Sequence, residues 1–334
     1  MQAVDDEVLG QVCRWLEAGE SCWLATVIQT WGSSPRPVGS LFACNADGRS
    51  VGSLSGGCVE DDLLEKLTAG ELAREQPQFF RYGISAEETE KFGLPCGGSL
   101  HIVIEPLGAD TDTRSHFEHL RDSVAARRWA VRCVTLDRGG RRSVRDADGY
   151  RPLAWDDASR TLVHTYGPRY QLFIIGAGMV SKYLAELALK LDYQVTVCDP
   201  REHLIEDFGI PGVTLVNDMP DDAVRAHASD PSSAIVALTH DPRIDDMGLM
   251  EALYTDAFYV GAMGSSRTSA SRRQRLKALD VDDVALARLH APIGLPIGSK
   301  TPPEIAIAVM AEIIAVRGRA AAAARRQLAA AQAG

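Results

Sequence analysis

The chain has 334 residues, 46% hydrophobic and 24% charged, with 35 Lys and Arg against 45 Asp and Glu for a formal charge of −10. Such a composition belongs to a soluble globular protein long enough for two cores, and an acidic balance of this size argues against the basic face that nucleic-acid binding requires. No apolar run approaches the about 20 residues that span a bilayer, and the acidic start Met1-Gln2-Ala3-Val4-Asp5-Asp6-Glu7 lacks a signal peptide's basic and apolar regions, so a cytoplasmic location is expected.

Apolar residues at helical spacing run through Val8, Leu9, Val12, Trp15 and Leu16 and stop near Gly19. Cys22–Ile28 reads as a buried strand. The loop Gln29–Ser40 follows and carries Arg36 between two prolines. Leu41–Cys44 and Ser50–Gly52 form a hairpin across the turn Asn45-Ala46-Asp47-Gly48. Next comes the glycine-rich turn Gly52-Ser53-Leu54-Ser55-Gly56-Gly57-Cys58-Val59-Glu60, which delivers Cys58 to the start of a helix over 61–67. A second turn of this type, Leu94-Pro95-Cys96-Gly97-Gly98-Ser99, lies before a strand at Leu100–Leu107. The segment 116–136 echoes the first helix and strand, and 137–150 echoes the hairpin. Together these predict an α+β domain over 1–166.

The pattern changes after Tyr166. Gln171–Ile175 is a continuous apolar run, as in a strand buried on both faces. It leads into Gly176-x-Gly178-x-x-Ser181 and a helix through Leu184, Leu187 and Leu191. Strands at 193–198, 213–216, 233–238 and 257–261 alternate with helical segments, which predicts a doubly wound parallel sheet of Rossmann type over 167–318. Thr301-Pro302-Pro303-Glu304 combines an N-cap, a first-turn proline and a Glu that opens the last helix. An Ala-rich segment, 319–334, is expected to be a frayed helical tail.

The chemistry concentrates in a few places. The seven cysteines form an odd set without a CxxC pair, so neither a disulfide framework nor a zinc site is indicated. Cys13, Cys133 and Cys198 sit in apolar patterns and are expected in the core. Ser55, Gly56, Gly57 and Cys58, with Cys96, Gly97 and Gly98, suggest a site for an anionic ligand compatible with sulfur, because a helix N-terminus attracts anions and lowers a thiol's pKa. The plain alternative is a small residue in a tight turn. Ser55 is expected to cap the helix, with Glu60, Asp61 and Asp62 stabilising its positive end. Arg36 is a further anion-binding candidate or an ordinary exposed loop arginine.

In the second half, Gly176, Gly178 and Ser181 followed by Asp199 have the arrangement that binds a dinucleotide: glycines for close approach, a helix end for pyrophosphate, and an acid for ribose hydroxyls. Ser in the third position is expected to loosen helix–strand packing slightly, and Arg201 leaves NAD against NADP open. His240 and Asp241 follow a strand end, where His240 is an acid–base or hydrogen-bonding candidate and Asp241 is equally a cap. Gly264 and Ser265, with Arg267, offer a phosphate contact after the next strand. Arg272-Arg273-Gln274-Arg275 reads as a solvated helix face.

The motifs Trp31-Gly32-Ser33-Ser34-Pro35-Arg36-Pro37-Val38-Gly39, Ser55–Glu60 and Leu94–Gly98 resemble the N-terminal domain of the XdhC/CoxI family of xanthine dehydrogenase accessory proteins. Phe173–Gly178, Leu238–Asp241, Tyr259–Ser265 and Gly294–Gly298 resemble that family's Rossmann domain, so the likeness spans the chain apart from about 108–168 and the tail. The resemblance implies a chaperone that binds molybdopterin, the molybdenum cofactor, in its mononucleotide or dinucleotide form. It further implies sulfuration of that cofactor with a cysteine desulfurase and delivery to a xanthine dehydrogenase-type molybdenum hydroxylase of purine catabolism. On this reading Cys58 or Cys96 contacts molybdenum, and the protein is an accessory factor more than a turnover enzyme. A homodimer is the default assembly. Two alternatives stand beside it: an NAD(P)-dependent oxidoreductase using Asp199 and His240, and a scaffold that docks desulfurase to client.

Overall fold

The computed structural model describes residues 3–31, 36–57, 59–83, 99–137 and 140–332. The chain divides into two compact units, Met1–Pro168 and Arg169–Gly334.

The first unit opens with helix α1 (Ala3–Glu17) and strands β1 (Cys22–Thr30), β2 (Leu41–Asn45) and β3 (Ser50–Gly52). Helix α2 (Glu60–Thr68), strands β4 (Gln78–Tyr82) and β5 (Leu100–Leu107) and helix α3 (Thr111–Ala125) follow. β3-β2-β1-β5-β4 make an antiparallel sheet. Both faces of β1 are covered, which is why it reads as an unbroken apolar run. Leu24 packs with Val8, Leu16 and Phe117 of α1 and α3, whereas Ala25 and Val27 pack with Leu63 and Leu67 of α2. Strands β6 (Trp129–Thr135), β7 (Arg142–Ala147), β8 (Ala154–Asp156) and β9 (Thr161–Tyr166) form a second sheet, ordered β7-β6-β9-β8. The order α3, β6, β7 repeats α1, β1, β2, each helix leading into an antiparallel pair.

One charge stands in the middle of β5. Glu105 is wholly buried, and Arg132 of β6 holds it with two bonds of 2.7 Å while Arg142 of β7 adds a third at 3.2 Å. Burial alone would raise the Glu105 carboxyl; the Arg132 guanidinium reverses that and keeps it ionised. A carboxylate is tolerated there because its partner arrives from the neighbouring sheet.

The second unit contains β10 (Gln171–Ile175), α4 (Met179–Lys190), β11 (Gln194–Cys198), α5 (Glu202–Glu206), β12 (Val213–Val216), α6 (Pro220–His227), β13 (Ser233–Ala237) and α7 (Pro242–Ala252). It closes with β14 (Tyr259–Ala262), α8 (Ser266–Ala278), α9 (Asp283–Ala287), β15 (Leu289–His290) and α10 (Pro302–Gln332). All pairs in the sheet β12-β11-β10-β13-β14-β15 are parallel. The order reverses between β10 and β13, which marks the crevice where such sheets bind ligands. α4 and α10 cover one face through Leu184, Ala306, Val309 and Ile313; α6, α7 and α8 cover the other through Val224, Leu249 and Leu276. The Glu304 carboxylate accepts the Lys300 and Thr301 N–H groups at 2.9 Å each, fixing the start of α10. That helix runs to Gln332, so the Ala-rich segment is helical and continues it.

Candidate functional site

β10 stops at Ile175 and α4 starts at Met179, so Gly176–Gly178 make the turn beside the crevice. The two glycines are there for different reasons. Gly176 has φ +103°, and a Cβ on it would lie 2.5 Å from Thr239 Cγ2, so packing requires it. Gly178 has an ordinary φ of −89°, and a Cβ there would meet no atom within 4 Å. Glycine at 178 leaves the helix start bare to solvent. Gly178 also serves as N-cap without a side-chain bond, as do Val59, Arg201 and Met219 at α2, α5 and α6, whereas Asp110, Asp241, Ser265 and Asp282 cap α3, α7, α8 and α9. The first N–H groups of a helix have no intrahelical partner and carry partial positive charge, so this bare start suits a phosphate.

Ser181 and Asp199 build this turn from beneath. Ser181 is fully buried and its hydroxyl donates to the Gly176 carbonyl at 2.6 Å, so it tightens the packing that it was expected to loosen. Asp199 is buried too. Its Oδ2 accepts the Ala177 N–H at 2.9 Å and Arg201 Nη2 at 2.7 Å, and its Oδ1 accepts the Arg201 N–H and Nε at 3.0 and 2.8 Å. Burial opposes its ionisation, but the bonds from Arg201 and Ala177 prevail and its pKa is lowered. With both oxygens engaged by the chain, Asp199 shapes the glycine turn.

The loops after β13 and β14 are joined by Arg272, which is only 2% exposed. Its Nη2 donates to Asp245 Oδ2 at 2.7 Å, and Asp245 Oδ1 in turn accepts the Thr239 N–H and hydroxyl at 3.1 and 2.7 Å. Arg272 Nη1 donates to the Met263 carbonyl at 2.9 Å. Arg275 pairs with Asp246, and Arg273 donates to the Leu286 and Leu289 carbonyls. Arg272 is therefore a buried clamp, whereas Arg273 and Arg275 are half-buried and only Gln274 faces solvent as expected of the run. A run of arginines carries no sequence signal that separates the two cases. His240 is exposed beside this clamp. Asp241 caps α7 through the Arg243 N–H at 2.9 Å, and Ser265 caps α8 through the Thr268 N–H at 3.1 Å, with Gly264 next to it. Both side chains are thus committed to helix ends.

In the first unit the glycine turn before α2 is organised by a residue whose position gave no hint of it. Glu60 accepts Ser53 Oγ, Leu54 N and Ser55 N on Oε1 at 2.7–2.9 Å, and Ser55 Oγ, Gly57 N and Val59 N on Oε2 at 2.8–3.1 Å. Burial works against the charge, but the bonds from Ser55, Ser53 and Leu54 outweigh it and hold the carboxyl at about 2. The donors expected to receive a ligand's anion therefore already surround a carboxylate of the chain. Ser55 does not occupy the N-cap, which is Val59; its hydroxyl accepts the Val59 N–H at 3.1 Å. Gly56 donates to Ser53 Oγ at 2.9 Å. Gly56 and Gly57 have φ +95° and +125°, the left-handed region this wrapping requires.

Arg36 is brought to the same turn. Its Nε donates to the Ser53 carbonyl and its Nη2 to Asp5, both at 3.3 Å, so it is half-buried instead of exposed. Cys58, Cys96, Gly97 and Gly98 lie outside the described residues. Among the described residues, no group of three His, Cys, Asp or Glu side chains is arranged to hold a metal ion.

Two family models match the chain: the XdhC and CoxI family over residues 15–83, and the XdhC Rossmann domain over 172–313. Together they take in well over half of it. A probable xanthine dehydrogenase subunit from Bacillus subtilis (strain 168) is 27% identical over 328 residues, covering 92% of this chain and 96% of its own. The molybdenum cofactor insertion chaperone PaoD of Escherichia coli (strain K12) is 25% identical over 313 residues, covering 90% of this chain and 85% of its own. The crystal structure of a xanthine dehydrogenase from Bacillus halodurans is similar with a TM-score of 0.73 and 25% identity, over 94% of this chain and 96% of that one.

Proposed function

Since the chain belongs to the XdhC/CoxI family, we propose that it is a maturation factor that binds the molybdenum cofactor as cargo and inserts it into a xanthine dehydrogenase-type molybdenum hydroxylase. The observation that carries this reading is the bare start of α4 at Gly178. The cofactor's pterin ends in a phosphate, and an uncapped helix N-terminus at the crevice of a parallel sheet is suited to hold one. Relatives named as a cofactor insertion chaperone and as part of a xanthine dehydrogenase support the same cargo and the same class of client.

The finer parts of the proposal concern Cys58 and Cys96. A thiolate is a soft ligand that matches molybdenum and its sulfido group, so these residues are assigned to retaining the cargo while a cysteine desulfurase supplies sulfur. Glu60 gathers the N–H groups on either side of residue 58, which favours holding over turnover. Among the described residues no helix is long and apolar enough to cross a membrane, in keeping with assembly in the cytoplasm, and a homodimer is the proposed state.

The test is purification of the full chain from cells that make molybdopterin, followed by identification of the released ligand. Bound molybdopterin that is lost in Cys58→Ala supports the proposal. Bound nicotinamide with hydride turnover overturns it in favour of an oxidoreductase.

A further inference from the structure

The two sheets of the first unit face each other across a layer that is not apolar throughout. At one level Leu24 and Leu41 pack with Ala130 and Tyr166. At another Ile28 and Val103 pack with Val134 and Leu162. Thr26 stands between Leu24 and Ile28 on β1, Arg132 between Ala130 and Val134 on β6, and His164 between Leu162 and Tyr166 on β9. Alternate residues of a strand share a face, so these three polar side chains enter the space between the sheets at a common level. Arg132 and His164 are direct cross-strand partners.

The guanidinium in this layer is engaged. Arg132 gives Nη1 and Nη2 to Glu105 and its Nε to His116 Nε2 at 2.9 Å. Other polar atoms are not. Among the described residues the Thr26 hydroxyl, His164 Nδ1 and the Tyr166 hydroxyl are buried and make no hydrogen bond. The His164 and Tyr166 ring centroids are 4.2 Å apart. A Cβ on Gly39 would lie 3.1 Å from His164 Nε2, so that edge of the ring faces the chain leading into β2. Leu41, two residues on, is the sheet partner of Thr26. His164 and Thr26 thus meet the same stretch of chain from opposite sheets.

A buried polar atom without a hydrogen bond costs free energy, and the chemistry of these three defines what would satisfy them. Burial and the Arg132 charge hold the His164 imidazole at about 3, so the ring is neutral, with a hydrogen on one nitrogen and a lone pair on the other. Burial pushes the Tyr166 hydroxyl up to about 12, so it stays protonated. Each hydroxyl donates or accepts. The occupant must therefore do both, carry no charge and be small enough to sit among packed aliphatic side chains. Water meets these conditions, and a buried water makes about three hydrogen bonds.

We infer that the first unit binds a structural water molecule between its two sheets, held by the Thr26 hydroxyl, His164 Nδ1 and the Tyr166 hydroxyl. This water joins β1 to β9 at the level where their apolar contact is interrupted. The inference is independent of the proposed cargo.

The test compares the full chain with Thr26→Val, which keeps the side chain's shape and removes the hydroxyl. Oxygen-17 relaxation dispersion counts the waters that stay inside longer than the protein tumbles. Thr26→Val and Tyr166→Phe are each expected to lose one, and Thr26→Ser, which keeps the hydroxyl, to retain it. Urea unfolding followed by tryptophan fluorescence supplies the sign. Removing a hydroxyl that holds a water should lower the midpoint, whereas removing an unbonded buried hydroxyl raises it. Circular dichroism confirms that the variants fold, and Tyr166→Phe gives the water count if Thr26→Val does not. An unchanged water count in folded Thr26→Val or Tyr166→Phe overturns the inference, and so does a raised midpoint in Thr26→Val.

Discussion

Ser55 and Glu60 are bonded twice: the Ser55 N–H reaches Oε1 at 2.9 Å and its hydroxyl reaches Oε2 at 2.8 Å. This pair closes the turn around a carboxylate, so the charge of Glu60 is part of the fold. Its pKa falls from an ordinary 4.5 to about 2. A depressed carboxylate contributes stability that is complete above the unfolded value and is lost as pH falls through the folded one. Ionised Glu60 should therefore stabilise the first unit by about 3 kcal/mol at neutral pH, a contribution that fades between about pH 4.5 and 2. All five tryptophans lie in the first unit, so urea unfolding followed by tryptophan fluorescence reads it selectively. Glu60→Gln should lower stability at pH 7 and lose the share of the acid dependence over that range that Glu60 supplies; an unchanged profile would remove Glu60 from this role.

The two glycines of the α4 turn should separate when each is changed to alanine. Gly176→Ala meets both a positive φ and Thr239, and should cost about 2–4 kcal/mol by thermal denaturation. Gly178→Ala should stay within about 1 kcal/mol of wild type. It should nevertheless weaken binding of inorganic pyrophosphate, measured by calorimetry. Equal effects on stability would contradict the assignment of Gly178 to ligand approach.

Removing Arg132 leaves the buried Glu105 carboxylate with Arg142 as its remaining guanidinium. Arg132→Met should destabilise the first unit by about 3–5 kcal/mol, and adding Glu105→Leu should recover most of the loss. The same fluorescence-detected urea titration measures both.

Cys13, Cys22, Cys44 and Cys198 are at most 2% exposed. Burial pushes the Cys13 thiol up to about 11 and the other three to about 12. Thiolate is the reacting species, so iodoacetamide at pH 8 should leave these four unmodified in the folded protein. Cys58 and Cys96 should be alkylated first, which peptide mapping by mass spectrometry will show.

Much of the second unit is legible in the sequence because a parallel sheet covered on both faces requires continuous apolar runs, and Gln171–Ile175 and Ser233–Ala237 are such runs. The glycine turn is legible for the same local reason, a strand end followed by a helix start. The roles of Asp199 and Glu60 are not. In both cases the sequence shows an acid near glycines, and only the folded path decides whether that acid faces a ligand or the chain's own N–H groups. Arg272 reads as a surface residue because helical periodicity cannot show that Asp245, Asp246 and the Met263 carbonyl converge on one arginine. Cap residues such as Asp241 stand between two readings, and the folded chain shows the cap through the Arg243 N–H.

Thr239 and Met263 lie in the loops that follow neighbouring strands and are held through a single guanidinium, Thr239 by way of Asp245. Neither loop can be displaced without unseating Arg272 from the other, so the two lips of the crevice form one mechanical part. Their amide hydrogens should exchange with solvent in shared opening events, and a molecule that settles against either lip will quieten both.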